Sequence, residues 1–174
     1  LLHFGAMAKR KGSLNIVKAI DQCHERDLGK LSFIFAGRID NDIKLEFYRI
    51  IEKVKNKVQI IIYDEFCSYE FLASLCFTSD FLLMPYWSTS HSSGVIGYAA
   101  QFNKPVIAPK KGLIGKLVKK YKLGILLPDS TTKSISSFIC NINQYEQMLN
   151  VDTKYISERT IDSFNYSIFS KFYV

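Results

Sequence analysis

The stretch that decides the fold runs from Phe81-Leu-Leu-Met-Pro-Tyr86 through Trp87-Ser-Thr-Ser-His-Ser-Ser-Gly94 and Val95-Ile-Gly-Tyr-Ala-Ala100 to Pro105-Val-Ile-Ala108. It reads as an apolar strand over Phe81 to Tyr86, a loop, a short helix over Ser93 to Phe102, and a second apolar strand. A strand that returns to a parallel neighbour through a helix is the unit of an α/β sheet. Both strands are apolar throughout, as expected where helices cover both faces.

The same alternation extends in both directions. Towards the amino terminus, Leu1 to Met7, Leu31 to Ala36 and Val58 to Tyr63 read as strands. Between them lie a helix with Ser13 as its expected N-cap, carrying Leu14, Val17 and Ile20, and a helix over Asp42 to Val54. The second is expected to turn Leu45, Tyr48, Ile51 and Val54 to the core. Ser68 is expected to cap a helix with Phe71, Leu72, Leu75 and Cys76. Towards the carboxyl terminus follow a helix over Leu113 to Tyr121, a strand over Gly124 to Leu127 and a helix over Thr131 to Leu149. Residues 151–174 are expected to form a terminal helix. Six strands separated by helices predict a Rossmann-like, doubly wound parallel sheet in one domain spanning 1–174, with ligands at the carboxyl ends of the strands.

Composition narrows the class. The 174 residues, 48% hydrophobic and 22% charged, suit one globular domain and not a disordered chain. No apolar run approaches the roughly 20 residues of a membrane span. The chain opens on a strand-like segment without an initiator Met, so it is expected to be part of a longer protein. Cys23, Cys67, Cys76 and Cys140 are scattered, which predicts reduced structural thiols of a cytoplasmic protein, with neither a disulfide frame nor a zinc site. A net charge of +7 suits an anionic partner: a nucleotide, a nucleic acid or an acidic membrane surface.

The chemistry is expected in the loops after the strands. Ser88 to Gly94 gathers five hydroxyls, one imidazole and a glycine at a helix start. Ser92 or Ser93 would cap the helix, and Gly94 would admit a ligand close to the backbone. Unpaired N–H groups there, joined by hydroxyls, form a diphosphate cradle. His91 is either a hydrogen-bonding group near the ligand or a loop residue. Tyr98 either touches a sugar or ribose or belongs to the core. After the first strand, Lys9-Arg-Lys11 ahead of Gly12 either meets phosphate or is a solvated turn. It is neither a Walker A loop nor a dinucleotide fingerprint. Phe66 is placed to border a base, while Asp64 and Glu65 read as exposed turn residues. His3 and His24 read as structural or surface residues, and Arg38, Asp40 and Asp42 as a polar turn.

Taken together these segments resemble the C-terminal, donor-binding domain of GT-B-fold glycosyltransferases of group 1, or family 4. The residues that carry the resemblance are Leu2-His-Phe-Gly5 with Arg10-Lys-Gly12, Phe33-Ile-Phe-Ala-Gly37, Pro85 through Ala108, Gly112-Leu-Ile-Gly115 and Leu123-Gly124. The resemblance implies half of a two-domain enzyme that transfers a hexose from a nucleotide-diphosphate sugar to a glycan or lipid-linked acceptor, in polysaccharide biosynthesis. The acceptor domain would lie outside this fragment, which alone would be inactive. Lys11 matches the family's diphosphate lysine. The family's arginine position falls near Gly5-Ala6, so Arg10 or Lys9 would substitute.

The resemblance also implies a Glu-x7-Glu pattern, whose two positions fall on Ser90 and Tyr98, so both carboxylates are replaced. Carried over, the roles are Lys11, Arg10, Ser92, Ser93 and Gly94 on the diphosphate, and Ser90, His91 and Tyr98 on the sugar or ribose. Glu65 and Phe66 fall to the base. No metal is called for, because fixed positive charges can neutralise the diphosphate. The alternative is a non-catalytic nucleotide-binding module that kept the fold after losing the Glu pair. Lys110, Lys111, Lys116, Lys119, Lys120 and Lys122 form the densest basic cluster. It is expected to meet the inner face of an anionic membrane rather than nucleic acid. Phe164, Ile168, Phe169 and Phe172 of the terminal helix would face the missing domain.

Overall fold

The computed structural model describes residues 1–87 and 93–145. Six strands form one sheet, every pair parallel: β1 (Leu2–Phe4), β2 (Ser32–Ala36), β3 (Gln59–Tyr63), β4 (Leu82–Leu83), β5 (Val106–Pro109) and β6 (Gly124–Leu127), in the order β3-β2-β1-β4-β5-β6. This is the doubly wound, Rossmann-like sheet expected from the sequence. The helices are α1 (Ser13–Gln22), α2 (Glu25–Leu28), α3 (Asn41–Val54), α4 (Tyr69–Thr78), α5 (Gly94–Gln101), α6 (Gly112–Tyr121) and α7 (Thr132–Cys140).

Two cores sandwich the sheet, and the period-2 alternation of the strands feeds both. Phe33 and Phe35 of β2, with Leu83 and Ile107, pack under α1, α2, α3 and α7. Leu2, Phe4, Ala36, Leu82, Met84 and Val106 pack under α4, α5 and α6. At roughly 25 cal/mol per Å2 of apolar surface, burial on both faces is the main force holding the layers together.

Several expectations need correction. Leu45 was assigned to the core but is 86% exposed; α3 buries Ile43, Phe47, Ile50, Ile51 and Val54. Leu45, Tyr48, Ile51 and Val54 are each three residues apart, and a strict three-residue step drifts around a helix of about 3.6 residues per turn until its ends face opposite sides. The fourth strand is paired only at Leu82–Leu83. Pro85 has no N–H to continue the ladder, and the Tyr86 N–H turns back to the Met84 carbonyl at 2.8 Å.

Ser13 is not the cap of α1. Gly12 holds that position at φ +74°, and Ser13 is buried. Asp64 is not an exposed turn residue either. It accepts from the Ile39 N–H at 2.8 Å, the Tyr48 hydroxyl at 3.3 Å and Lys44 at 2.7 Å, joining the loops after β2 and β3. Burial works to raise its pKa, but Lys44 and the Ile39 N–H outweigh this and hold it below the ordinary value. α2 had no counterpart in the sequence reading. The four cysteines are free thiols, but Cys23 and Cys140 are not scattered in space: their sulfurs lie 3.3 Å apart. The terminal-helix expectation lies outside the described residues.

Candidate functional site

In this strand order the chain winds outward from β1 in one direction and from β4 in the other. The crevice at their carboxyl ends is therefore the switch point where such folds take ligands. The two loops singled out in the sequence, after β1 and after β4, are the two that flank it.

The loop after β1 is rigidly held. The Met7 N–H bonds to the Arg38 carbonyl and the Asp40 N–H to the Met7 carbonyl, at 2.8 and 2.9 Å. Lys9–Lys11 then form one tight 3-10 turn, closed by the Gly12 N–H on the Lys9 carbonyl. Gly12 is packed against the exit of β4 so closely that a Cβ there would lie 2.2 Å from the Pro85 carbonyl oxygen. A further hydrogen bond, from the Trp87 N–H to the Arg10 carbonyl at 2.8 Å, ties the two loops together.

Below them lies a buried polar relay. His3 Nδ1 sits 2.9 Å from the Leu83 carbonyl oxygen and therefore donates to it, leaving Nε2 to accept from the Ser13 hydroxyl at 2.8 Å. Burial drives the His3 pKa down to about 4, against the opposing effect of the Leu83 bond, so the ring is neutral. His3 thus fastens β1 to β4 and to the first turn of α1, and the structural reading of this residue holds.

Lys11 reaches back over the crevice. Its Nζ is 2.8 Å from where a Gly5 Cβ would stand and 5.6 Å from the centre of the Tyr86 ring. Burial lowers its pKa, the Arg10 charge lowers it further, and Asp40 partly offsets both. The ion pairs among the described residues leave Lys11 out. Tyr86 is 4% exposed and its hydroxyl lies 3.4 Å from the Ser93 hydroxyl. Ser93 caps α5, as expected, by accepting from the Val95 N–H at 3.4 Å. Gly94 follows, and among the described residues no atom lies within 4 Å of where its Cβ would be.

The structure therefore brings Lys11, Ser93 and Gly94 to one crevice, with exposed Lys9 and Arg10 on its rim. Ser90, His91 and Ser92 lie outside the described residues. Tyr98 is half-buried, its ring 5.1 Å from Phe4 and 5.3 Å from Tyr69, within the core under α5. Glu65 and the 84% exposed Phe66 follow β3, the outer strand, two strand spacings from β1. Sequence reasoning missed Tyr86, which bridges Lys11 and Ser93. It also missed Ser130, whose hydroxyl donates to the Tyr86 carbonyl at 2.8 Å. Tyr86 was hidden because a tyrosine ending an apolar run reads as strand.

The architecture defines a Rossmann-like α/β domain, and these two loops flank the topological switch point at which such folds take ligands. Its fold matches that of the C-terminal domains of GT-B group 1 glycosyltransferases. Anabaena HepE, solved in complex with UDP-glucose, superimposes with a TM-score of 0.73 at 18% identity, over 92% of this chain and 43% of that one. The C-terminal domain of the group 1 glycosyltransferase LpcC from Francisella tularensis gives 0.67 at 19% identity, over 95% and 84%. WaaG, a glycosyltransferase involved in lipopolysaccharide biosynthesis, gives 0.71 at 15%, over 91% and 41%. The chain thus spans less than half the length of HepE and WaaG. The sequence matches no protein-family model and no curated protein.

Proposed function

We propose that the chain is the donor-binding domain of a two-domain glycosyltransferase that moves a hexose from a nucleotide-diphosphate sugar to a glycan or lipid-linked acceptor. The observation that carries this reading is Lys11: a partly desolvated cation outside the ion pairs of the described residues, lying by the ring of Tyr86, whose hydroxyl meets the Ser93 cap of α5. A diphosphate would meet Lys11 from one side and the first N–H groups of α5 from the other, with Arg10 and Lys9 at the rim. Such fixed donors stabilise the charge that grows on a departing nucleotide, so no metal is needed for that role. Phe66 follows β3, which lies two strand spacings, roughly 10 Å, from β1, on the side towards which a nucleoside would extend from the diphosphate. The likeness to HepE, solved with UDP-glucose, supports the same assignment.

Tyr98 favours a second reading. It stands where the resemblance implies the second Glu, and its ring is spent on packing against Phe4 and Tyr69. A module that binds nucleotide without transferring sugar would tolerate that replacement. In either case the acceptor domain would be supplied by sequence beyond this chain. α6 turns Lys116, Lys119 and Lys120 outward beside the partly exposed Leu113, a face suited to an anionic membrane at the cytoplasmic side. Among the described residues no helix is long and apolar enough to cross a membrane.

Thermal-shift and ligand-observed NMR titrations with UDP-, GDP- and ADP-sugars test the donor assignment. Binding by one nucleotide class that Lys11→Ala abolishes supports it. No binding at millimolar concentration, or binding indifferent to Lys11→Ala, defeats it. Transfer by the full-length protein separates the enzyme from the silent module. Salt-sensitive sedimentation with anionic vesicles, lost when Lys116, Lys119 and Lys120 become Glu, tests the membrane face.

A further inference from the structure

Cys23 and Cys140 are 117 positions apart in the sequence, yet their sulfurs lie 3.3 Å apart. Cys23 is the C-cap of α1, and Cys140 is the last residue of α7. The two helices pack against each other on one face of the sheet. Cys23 is 3% exposed and its S–H donates to the Ala19 carbonyl at 3.2 Å. Its sulfur accepts from Cys140, which is open to solvent. Cys67 and Cys76 belong to the core on the opposite face, so the sheet separates them from this pair.

Two other uses of the sulfurs fit the structure poorly. Among the described residues no three His, Cys, Asp or Glu side chains gather as metal ligands would, so two sulfurs alone would have to hold an ion. Nor do they belong to the crevice, because the ten residues of α1, about 15 Å of helix, separate Cys23 from Gly12. A bond between the sulfurs is within reach. They would have to close to about 2.05 Å, a movement of roughly 1 Å that side-chain rotation at two helix ends can supply.

We propose that Cys23 and Cys140 form a reversible disulfide that staples α7 to α1, by exchange with a low-molecular-weight disulfide such as oxidised glutathione. The exposed Cys140 reacts first. Its thiolate attacks one sulfur of the reagent, forming a mixed disulfide and releasing one thiolate, which takes up a proton. Cys23 then gives up its proton, and its sulfur attacks Cys140 and displaces the second reagent thiol. The two protein thiols lose two electrons and two protons, and the reagent disulfide gains them as two thiols. Burial pushes the Cys23 pKa up to about 12, which keeps this thiol from reacting first and makes the second step the slow one.

The staple acts on α7, which rests on α1, α2 and β6. A link across 117 positions restricts the unfolded chain, so the oxidised form should melt roughly 5–15 °C higher. Amides of α7 that exchange by local opening in the reduced form should exchange only with global unfolding in the oxidised one. Nothing in this depends on the nucleotide assignment, and nucleotide affinity should be the same in both forms.

The test is incubation of the protein with reduced and oxidised glutathione at a series of ratios, followed by alkylation, digestion and mass spectrometry. A peptide joining Cys23 to Cys140 should appear, with Cys67 and Cys76 still alkylated. Dithiothreitol should remove both the link and the rise in melting temperature. Cys23→Ala should stop at a glutathione adduct on Cys140. Cys140→Ser, at an exposed position that tolerates the change even if Cys23→Ala does not fold, should show neither link nor rise. Absence of the linked peptide at every ratio overturns the proposal. So does a lasting glutathione adduct on Cys140 of the parent, a link that leaves the melting temperature unmoved, or an equal rise in Cys140→Ser.

Discussion

His3 Nε2 and the Ser13 hydroxyl lie 2.8 Å apart in the buried wedge between β1, β4 and the first turn of α1. Neither residue is on the rim of the crevice, yet together they fix its base, because the other ring nitrogen holds the Leu83 carbonyl of β4. A polar pair at the meeting point of three elements defines their register in a way that apolar contacts, tolerant of sliding, do not.

The pair makes stability depend on pH in a defined window. The His3 pKa is about 4 in the folded chain against an ordinary 6.5, so below 6.5 the unfolded chain binds a proton that the folded one refuses. Stability is full above that value, falls as pH drops towards about 4, and the His3 contribution levels off below it. The total loss should be roughly 3 kcal/mol. Urea melts across this range should show it, and His3→Asn, which keeps a donor for Leu83 but cannot take up the proton, should flatten the slope.

Two glycines of the crevice should separate structure from binding. Gly12→Ala puts a Cβ at 2.2 Å from the Pro85 carbonyl on a backbone at φ +74°, and should cost roughly 2–5 kcal/mol in denaturant melts. Gly94→Ala meets no atom of the described residues within 4 Å and should change stability by no more than about 0.5 kcal/mol. If phosphate approaches the start of α5 as proposed, Gly94→Ala should nevertheless weaken nucleotide binding in a calorimetric titration. Unchanged binding would remove Gly94 from the site.

Asp64→Ala should destabilise the chain by about 1–3 kcal/mol, because it leaves the Ile39 N–H without its acceptor and Lys44 without its partner. The carboxylate is held below its ordinary pKa of 3.8, so its contribution is present above that value and disappears as pH falls further. A melt series comparing the variant with the parent should converge at the acid end.

The fold was legible because parallel strands covered on both faces leave unbroken apolar runs, and Phe33-Ile-Phe and Ile60-Ile-Ile can be read as little else. What escaped was decided by contacts between segments distant in the sequence. Nothing local in Asp64 announces that Ile39 and Lys44 fold back onto it, and Cys23 gives no sign that Cys140 will arrive beside it. Lys11, Ser93 and Gly94 could be singled out from the sequence because each lies between a strand and the first turn of the next helix, where this topology places ligands. Tyr86 was not, since its bridging role exists only once the loop after β1 lies across it.

Lys11 carries the sharpest expectation. Because burial and Arg10 depress its pKa, it should lose its charge at a lower pH than an exposed lysine. Nucleotide affinity should therefore fall as pH rises through that depressed value, while the affinity of Lys11→Ala should be weaker by roughly 10- to 100-fold and lack this step. The same desolvation makes the cation a burden to the empty domain. Lys11→Met, which keeps the packing over Gly5 and Tyr86, should bind nucleotide as poorly as Lys11→Ala yet melt at the parent temperature or above it. A clear loss of stability in Lys11→Met would show that Lys11 holds the loop together, and the diphosphate role would have to pass to Arg10 or Lys9.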